Sequence, residues 1–197
     1  MLKYIFEWRV SLRIIAGHAK GKKIITPKGL EIRPTTDRVK EAIFNIISTH
    51  ISDSIVLDLF AGTGNLGLEA LSRGAKKAYF IDSSMSSMKI IVENINKISL
   101  VDSSIIKRTE ALKALDEFAS MGTKFDIIFL DPPYGKGLLI PCMKVIEDKQ
   151  ILAKDGIIVV EHNQSELIQW DYKYLKVFKE KKYGNVMISI YQWAREA

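Results

Sequence analysis

Residues 55–74 read Ile55-Val56-Leu57-Asp58-Leu59-Phe60-Ala61-Gly62-Thr63-Gly64-Asn65-Leu66-Gly67-Leu68-Glu69-Ala70-Leu71-Ser72-Arg73-Gly74. The apolar run Ile55-Val56-Leu57 suits a buried parallel strand, and Leu68-Glu69-Ala70-Leu71 has helical spacing and composition. The glycines therefore lie in a strand-to-helix turn. Gly62 and Gly64 let the backbone turn tightly and approach a ligand closely, because a β-carbon would obstruct both. Gly62-x-Gly64-x-x-Gly67 also satisfies the dinucleotide fingerprint, which alone is a weak pattern. Two carboxylates give it direction. Asp58 precedes the loop at the strand end, where a carboxylate accepts from a ligand ammonium directly or through water, a demand that a pyrophosphate does not make. Asp82 ends the next apolar run, Ala78-Tyr79-Phe80-Ile81, where a carboxylate can take both hydroxyls of a ribose. A nucleoside with a positively charged amino-acid tail meets both conditions, and that describes S-adenosylmethionine.

Downstream, strands and helices alternate. Ser83 or Ser84 caps a helix carrying Met88, Ile91, Val92 and Ile95, and residues 103–108 read as a third strand. Glu110 follows at the strand end, placed either to face an adenine amino group or to serve as a first-turn helix acid. The run Phe125-Asp126-Ile127-Ile128-Phe129-Leu130 is almost wholly apolar, as a central parallel strand covered on both faces should be. A helix from about Leu138 to Asp148, a strand Gly156 to Glu161 and a weak helix near Ser165 to Ile168 follow. Two β-runs close the pattern, Tyr172 to Glu180 and Val186 to Trp193, joined as a hairpin through Lys181-Lys182-Tyr183-Gly184-Asn185. This order predicts an α/β fold: a Rossmann-like, doubly wound, mostly parallel seven-stranded sheet with an antiparallel last strand.

Upstream, Leu12 to Thr26 reads as two short β-runs about a glycine-containing connector, a small hairpin with its basic residues facing solvent. A helix follows Thr35 or Thr36, with Val39, Ala42, Ile43, Ile46 and Ile47 at helical spacing. Three regions result: an N-terminal extension (1–11) with no assigned role, a basic hairpin extension (12–34) and the catalytic domain (35–197). The chain's 197 residues suit one α/β domain with a small appendage. Its net charge of +6 equals that of residues 12–40 alone, where eight basic residues face Glu31 and Asp37. That patch beside a nucleoside pocket predicts a polyanionic substrate, held by Arg13, His18, Lys20, Lys22, Lys23, Arg33 and Arg38. No apolar run approaches the roughly 20 residues of a membrane span, and Glu7 and Arg9 interrupt the start before a signal-peptide core forms. The expected setting is cytoplasmic. One cysteine, Cys142, excludes an internal disulfide. His18, His50 and His162 lack ligand spacing, so no metal is expected.

The chemistry lies in Asp131-Pro132-Pro133-Tyr134. It follows a strand, so its Asp shares a crevice with Asp58 and Asp82, beyond the carboxyl ends of the sheet. Two prolines fix φ, remove N–H donors and present carbonyls rigidly. Asp131 beside them gives acceptors without competing donors, suited to an amino group on an aromatic ring. Taking protons from that nitrogen favours a pyramidal nucleophile and stabilises the charge that develops as it attacks a sulfonium methyl. Tyr134 would stack on the base.

Asp131-Pro132-Pro133-Tyr134 resembles the DPPY signature of amino-directed methyltransferases. Together with Arg13-Ile14-Ile15-Ala16-Gly17, the run Arg33-Pro34-Thr35-Thr36-Asp37-Arg38-Val39-Lys40-Glu41 and residues 58–74, the chain is similar to the RsmD family from about Leu12 to Trp193. That resemblance implies a class I methyltransferase acting on the N2 amino group of one guanine in 16S ribosomal RNA. It implies that Asp58, Phe60, Ala61, Gly62, Gly64, Asp82, Ser83, Glu110, Ala111 and Asp131 bind S-adenosylmethionine. Asp131, Pro132, Pro133 and Tyr134 would hold the guanine, and the basic hairpin the RNA, free or in an assembled small subunit. The protein is expected to act as a monomer, without metal or membrane. Because DPPY does not separate guanine N2 from adenine N6, an adenine-N6 methyltransferase acting on DNA or RNA is the runner-up. A nicotinamide-dependent dehydrogenase would leave Asp131-Pro132-Pro133 without a role, and a non-catalytic RNA-binding module would not need an intact Asp58, Gly62, Gly64 and Asp131.

Overall fold

The computed structural model describes residues 12–26, 36–163 and 172–194. The expectations for residues 1–11, for Arg33 and its loop, and for a helix near Ser165 to Ile168 lie outside those residues. In chain order come α1 (Asp37–Ile46), β1 (Ile55–Asp58), α2 (Asn65–Ser72), β2 (Lys77–Asp82), α3 (Met85–Ile98) and β3 (Ser104–Arg108). Then follow α4 (Ala111–Ser120), β4 (Phe125–Leu130), α5 (Leu139–Asp148), β5 (Leu152–Asn163), β6 (Leu175–Tyr183) and β7 (Val186–Trp193).

The strands form one seven-stranded sheet in the order β3-β2-β1-β4-β5-β7-β6. β3, β2, β1, β4 and β5 pair in parallel. β7 runs antiparallel to both of its neighbours, β5 and β6. The antiparallel last strand expected from the sequence thus sits inside the sheet, and β6 becomes the edge, running in the same direction as β4 and β5.

β4 shows why the central sequence is so apolar. Ile127 and Phe129 join one buried cluster, with side chains of α1, α2 and α3. Phe125, Ile128 and Leu130 join the other, with side chains of α4 and α5. All five are fully buried, and each such side chain contributes about 1.5–3 kcal/mol relative to exposure. β5 begins at Leu152 rather than Gly156. Its pairing with β4 shifts register between Phe125 and Ile127, so the polar residues Lys154 and Asp155 lie within an irregular strand. On α3, Met88, Ile91 and Ile95 are buried, but Val92 faces outward, 42% exposed.

The expected N-terminal hairpin is present in minimal form. It has a single antiparallel bridge, Arg13 to Lys23, supported by Ile14 N–H to Lys22 O (2.9 Å) and Ile24 N–H to Leu12 O (2.8 Å). Leu12, Ile14, Ala19 and Ile24 are buried in the same cluster as α2 and α3. Its closest approach is at Gly17, φ +82°, where an added β-carbon would fall 1.7 Å from the Ser72 carbonyl oxygen. Only glycine fits there.

Lys40 departs from the basic segment with which its charge was counted. It is fully buried on α1. Its Nζ lies 3.2 Å from Glu69 and donates to the Arg13 carbonyl (2.6 Å) and to Asn65 Oδ1 (2.7 Å). Burial pulls the Lys40 ammonium below its ordinary value, opposed by Glu69. Glu69 also accepts from Ile15 N–H (2.8 Å), Ala16 N–H (3.0 Å) and Arg73 Nε (2.7 Å). The Arg73 guanidinium in turn lies 4.8 Å from the centre of the Phe44 ring. Nearly every hydrogen-bonding capacity of this buried pair is used, the condition under which burying charge is tolerated.

Candidate active site

Three strand ends define the site. Asp58 is the last residue of β1 and Asp82 the last of β2, while Asp131 directly follows β4. All three line one cavity of about 630 Å³, as do Phe60, Ala61, Gly62, Ser83, Glu110, Ala111, Pro132, Pro133 and Tyr134. Of the expected cofactor positions only Gly64 stays outside the lining. It acts instead as N-cap of α2, with φ +79°. Gly62 also has positive φ, +54°. An added β-carbon at Gly62 would meet nothing nearer than 3.9 Å. There the glycine answers to the left-handed turn rather than to crowding.

The loop is held from below by carboxylates. Asp82 Oδ2 accepts from Gly62 N–H (2.9 Å) and Oδ1 from Ser84 N–H (2.8 Å). Each oxygen keeps a second lone pair for a ligand hydroxyl. Asp58 Oδ2 accepts from Gly67 N–H (3.0 Å), in the first turn of α2. Burial pushes the Asp58 carboxyl up to about 7; the Gly67 N–H opposes this and Asp82 adds to it. A buried carboxyl in this state gains much from a cationic partner. Glu110 is the N-cap residue of α4 but makes no side-chain cap hydrogen bond, so its carboxylate is available to the cavity it lines.

Directly after β4, Pro132 is buried while Pro133 and Tyr134 are exposed, Tyr134 by 42%. Burial, then the neighbouring Glu161 and Asp58 carboxylates, hold the Asp131 carboxyl well above the usual carboxylate range. Glu161 is adjacent because Leu130 pairs with Val160 across β4 and β5. Nothing near Asp131 in the chain points to that neighbour, since β5 pairs with β4 only in the fold.

Several lining residues were not among the sequence candidates. Ser84, Ser86 and Ser87 border the cavity from the first turn of α3, with Thr109 and Leu112 beside them. The Ser83-Ser84 cap was their one sequence signal, and it fixed the helix start without showing which face met the cavity. Asn65, buried at the start of α2, also lines the cavity and is held by Lys40.

The described basic candidates do not converge on the cavity. Arg13, His18, Lys20, Lys22, Lys23 and Arg38 are all exposed, and none lines it. The hairpin tip sits at the far ends of the helices: the His18 ring meets the Ser72 carbonyl (3.1 Å) and Lys22 Nζ the Ile98 carbonyl (3.4 Å). Ser72 and Ile98 close α2 and α3, whose opposite ends border the cavity. Arg13 pairs with Asp37 at 3.0 Å on the surface. No cluster of His, Cys, Asp and Glu suited to a metal ion occurs among the described residues, and none of their helices is long and apolar enough to cross a membrane.

Comparison with known proteins places the whole described core in one group. Residues 12–192 match the family model described as conserved hypothetical protein 95. Ribosomal RNA small subunit methyltransferase D of Escherichia coli (strain K12) is 35% identical, over 94% of this chain and 91% of its own. YlbH of Bacillus subtilis (strain 168) is 36% identical, over 92% of this chain and 98% of its own. The solved structure of Escherichia coli yhhF superposes with a TM-score of 0.84 at 32% identity, covering 94% of this chain and 99% of that one.

Proposed function

The chain belongs to the RsmD family, described as conserved hypothetical protein 95, and from that premise we propose that it transfers a methyl group from S-adenosylmethionine to the N2 amino group of a guanine in small-subunit ribosomal RNA. The observation that carries this reading is the gathering of three carboxylates at the ends of adjacent strands. Asp82 on β2, Asp58 on β1 and Asp131 just after β4 line one cavity together with Pro132, Pro133 and Tyr134. The printed name of the Escherichia coli relative supports ribosomal RNA of the small subunit as substrate. The choice of guanine N2 over adenine N6, which Asp131-Pro132-Pro133-Tyr134 alone does not make, rests on the resemblance of the fuller pattern, residues 13–17, 33–41 and 58–74, to the RsmD family. Such a substrate fits a cytoplasmic enzyme acting as a monomer.

The residues present fit the cofactor. The volume of about 630 Å³ lies within the usual range of roughly 300–1,000 Å³ for small-molecule sites. Asp82 retains lone pairs for two ribose hydroxyls, Glu110 suits an adenine amino group, and Asp58 gains from a ligand ammonium. When bound, the cofactor supplies an electrophilic methyl on a sulfonium. Asp131, with the carbonyls beside Pro132 and Pro133, orients the guanine amino group and accepts its hydrogens. Tyr134 stacks on the extruded base. The guanine nitrogen would take the methyl as the electron pair of the broken C–S bond stays on sulfur, and it would then lose one proton to solvent. Asp131 stabilises the positive charge that builds on nitrogen in between. An incoming amino donor also favours the ionised form of Asp131, countering the burial that holds its carboxyl up.

The test is methyl transfer from labelled S-adenosylmethionine to unmodified 16S RNA and to small ribosomal subunits, followed by nucleoside digestion and mass spectrometry. N2-methylguanosine is the expected product. N6-methyladenosine, or transfer to DNA alone, would keep the site and overturn the substrate.

A further inference from the structure

Charge summed along the chain hides a second basic region. Residues 173–185 carry five lysines against one glutamate, a net +4, balanced by acids elsewhere. That glutamate, Glu180, already accepts from Ser189 Oγ at 2.9 Å. The lysines Lys176, Lys179, Lys181 and Lys182 all lie on β6, the sheet edge, and all are exposed. Lysines alone would be ordinary protection of an edge strand against aggregation. They do not account for Val177 and Phe178 on the same strand, 50% and 54% exposed, nor for Tyr174 just before it, 49% exposed. Protection against edge pairing would remove such residues, whereas a surface for nucleic acid combines lysines with exposed rings.

Register places this edge at the mouth of the site. Leu130 pairs with Val160, so Asp131 stands level with Glu161. Glu161 pairs with Ile188, and Ile188 with Lys181. Lys181 therefore lies on the same row of the sheet as Asp131, three strands away, about 14 Å at 4.8 Å per strand. Because β6 runs in the direction of β4, Lys182 and the turn at Gly184-Asn185 project beyond that row, on the side where the cavity opens. The hairpin tip, by contrast, lies at the other ends of α2 and α3.

We propose that β6 and its turn into β7 form a contact surface for the phosphate backbone of the RNA substrate, with Lys179, Lys181 and Lys182 engaging the nucleotides that flank the target base. The proposal rests on the RNA-methyltransferase reading above and adds where the polyanion lies.

The test is the full chain carrying Lys179→Ala, Lys181→Ala and Lys182→Ala, compared with wild type for binding unmodified 16S RNA between 50 and 300 mM salt. Each lost phosphate contact flattens the logarithmic salt dependence by about 0.7–0.9. The expected result is a slope lower by about 2, RNA affinity reduced at least about tenfold near 150 mM salt, and unchanged affinity for S-adenosylmethionine. The triple Lys→Arg variant should restore the slope, which a loss of folding would not allow. Wild-type slope and affinity in the triple alanine variant would overturn the surface while leaving the enzymatic reading intact. So would unchanged binding to bare RNA with loss only of binding to assembled subunits, which would assign the edge to a ribosomal protein. Wild-type protein that neither binds nor methylates RNA would overturn both.

Discussion

In the stretch of cavity wall formed by the ends of β1 and β2, the carboxylates of Asp58 and Asp82 already accept hydrogen bonds from the backbone N–H groups of Gly62, Ser84 and Gly67, whereas in the adjoining wall after β4 the Asp131 carboxyl accepts none from any described residue. The first wall is tied to its loop by the protein's own hydrogen bonds. In the second, burial and the Glu161 and Asp58 carboxylates hold the Asp131 carboxyl up. Under the proposed function, this difference separates a preformed cofactor site from a nucleophile site completed by the base itself. It also predicts that the two walls fail in different ways.

The largest effect is expected from Asp131→Ala. The rate of methyl transfer should fall by about 10²–10³-fold or more, the range for removing one preorganised transition-state partner. Affinity for S-adenosylmethionine should stay within about threefold, as read by calorimetry. Equal losses in binding and rate would erase the distinction between the walls.

A smaller effect, confined to the first wall, concerns pH. Asp58 is raised to about 7 in the ligand-free protein, and a ligand ammonium would favour its ionised form. Affinity for S-adenosylmethionine should therefore rise by up to tenfold per unit as pH climbs towards 7, then level off. The Asp58→Asn variant should bind more weakly and show no such dependence. The sign for stability is opposite. The unfolded chain ionises Asp58 near the ordinary 3.8, so its contribution to the ligand-free fold is full below about 4 and is lost as pH rises through about 7. Thermal melts across that range should show this component disappear when asparagine replaces Asp58.

The smallest expected effect belongs to Glu110→Ala. Losing one acceptor for an amino group is worth roughly 1 kcal/mol. Cofactor affinity should fall by about fivefold with kcat unchanged, measured under saturating cofactor. A kcat defect instead would move Glu110 from the cofactor wall to the reaction.

Most of the cavity lining contributed by β1, β2 and the glycine turn was legible in the sequence because that stretch is local. Strand, glycine turn and helix occupy consecutive residues, and Asp82 ends the next strand with the same apolar signal. β4 was equally legible, since a strand buried on both faces must be apolar throughout. What escaped depends on pairing across long separations. Lys40 counted towards the basic segment of residues 12–40, but Glu69 on another helix pairs with it in the core. Glu161 became a neighbour of Asp131 only through the register of β4 with β5. The lysines of β6 cancelled against acids elsewhere in a sum that has no geometry. Val92 satisfied helical periodicity yet faces outward, because the buried face of α3 is narrower than the apolar pattern allowed.

The two peptide N–H groups of Ile15 and Ala16 that hold Glu69 bear on how this chain tolerates being cut. A gene trimmed to begin at Thr36 would retain every residue of the cavity, yet it would leave Glu69 without two donors and Lys40 without the Arg13 carbonyl. An unbalanced buried ion pair of this kind costs several kcal/mol, a large share of the stability of a domain this size. The basic front is therefore not a detachable handle that recombination could graft or discard. It is inherited with the helix that begins at the cofactor loop.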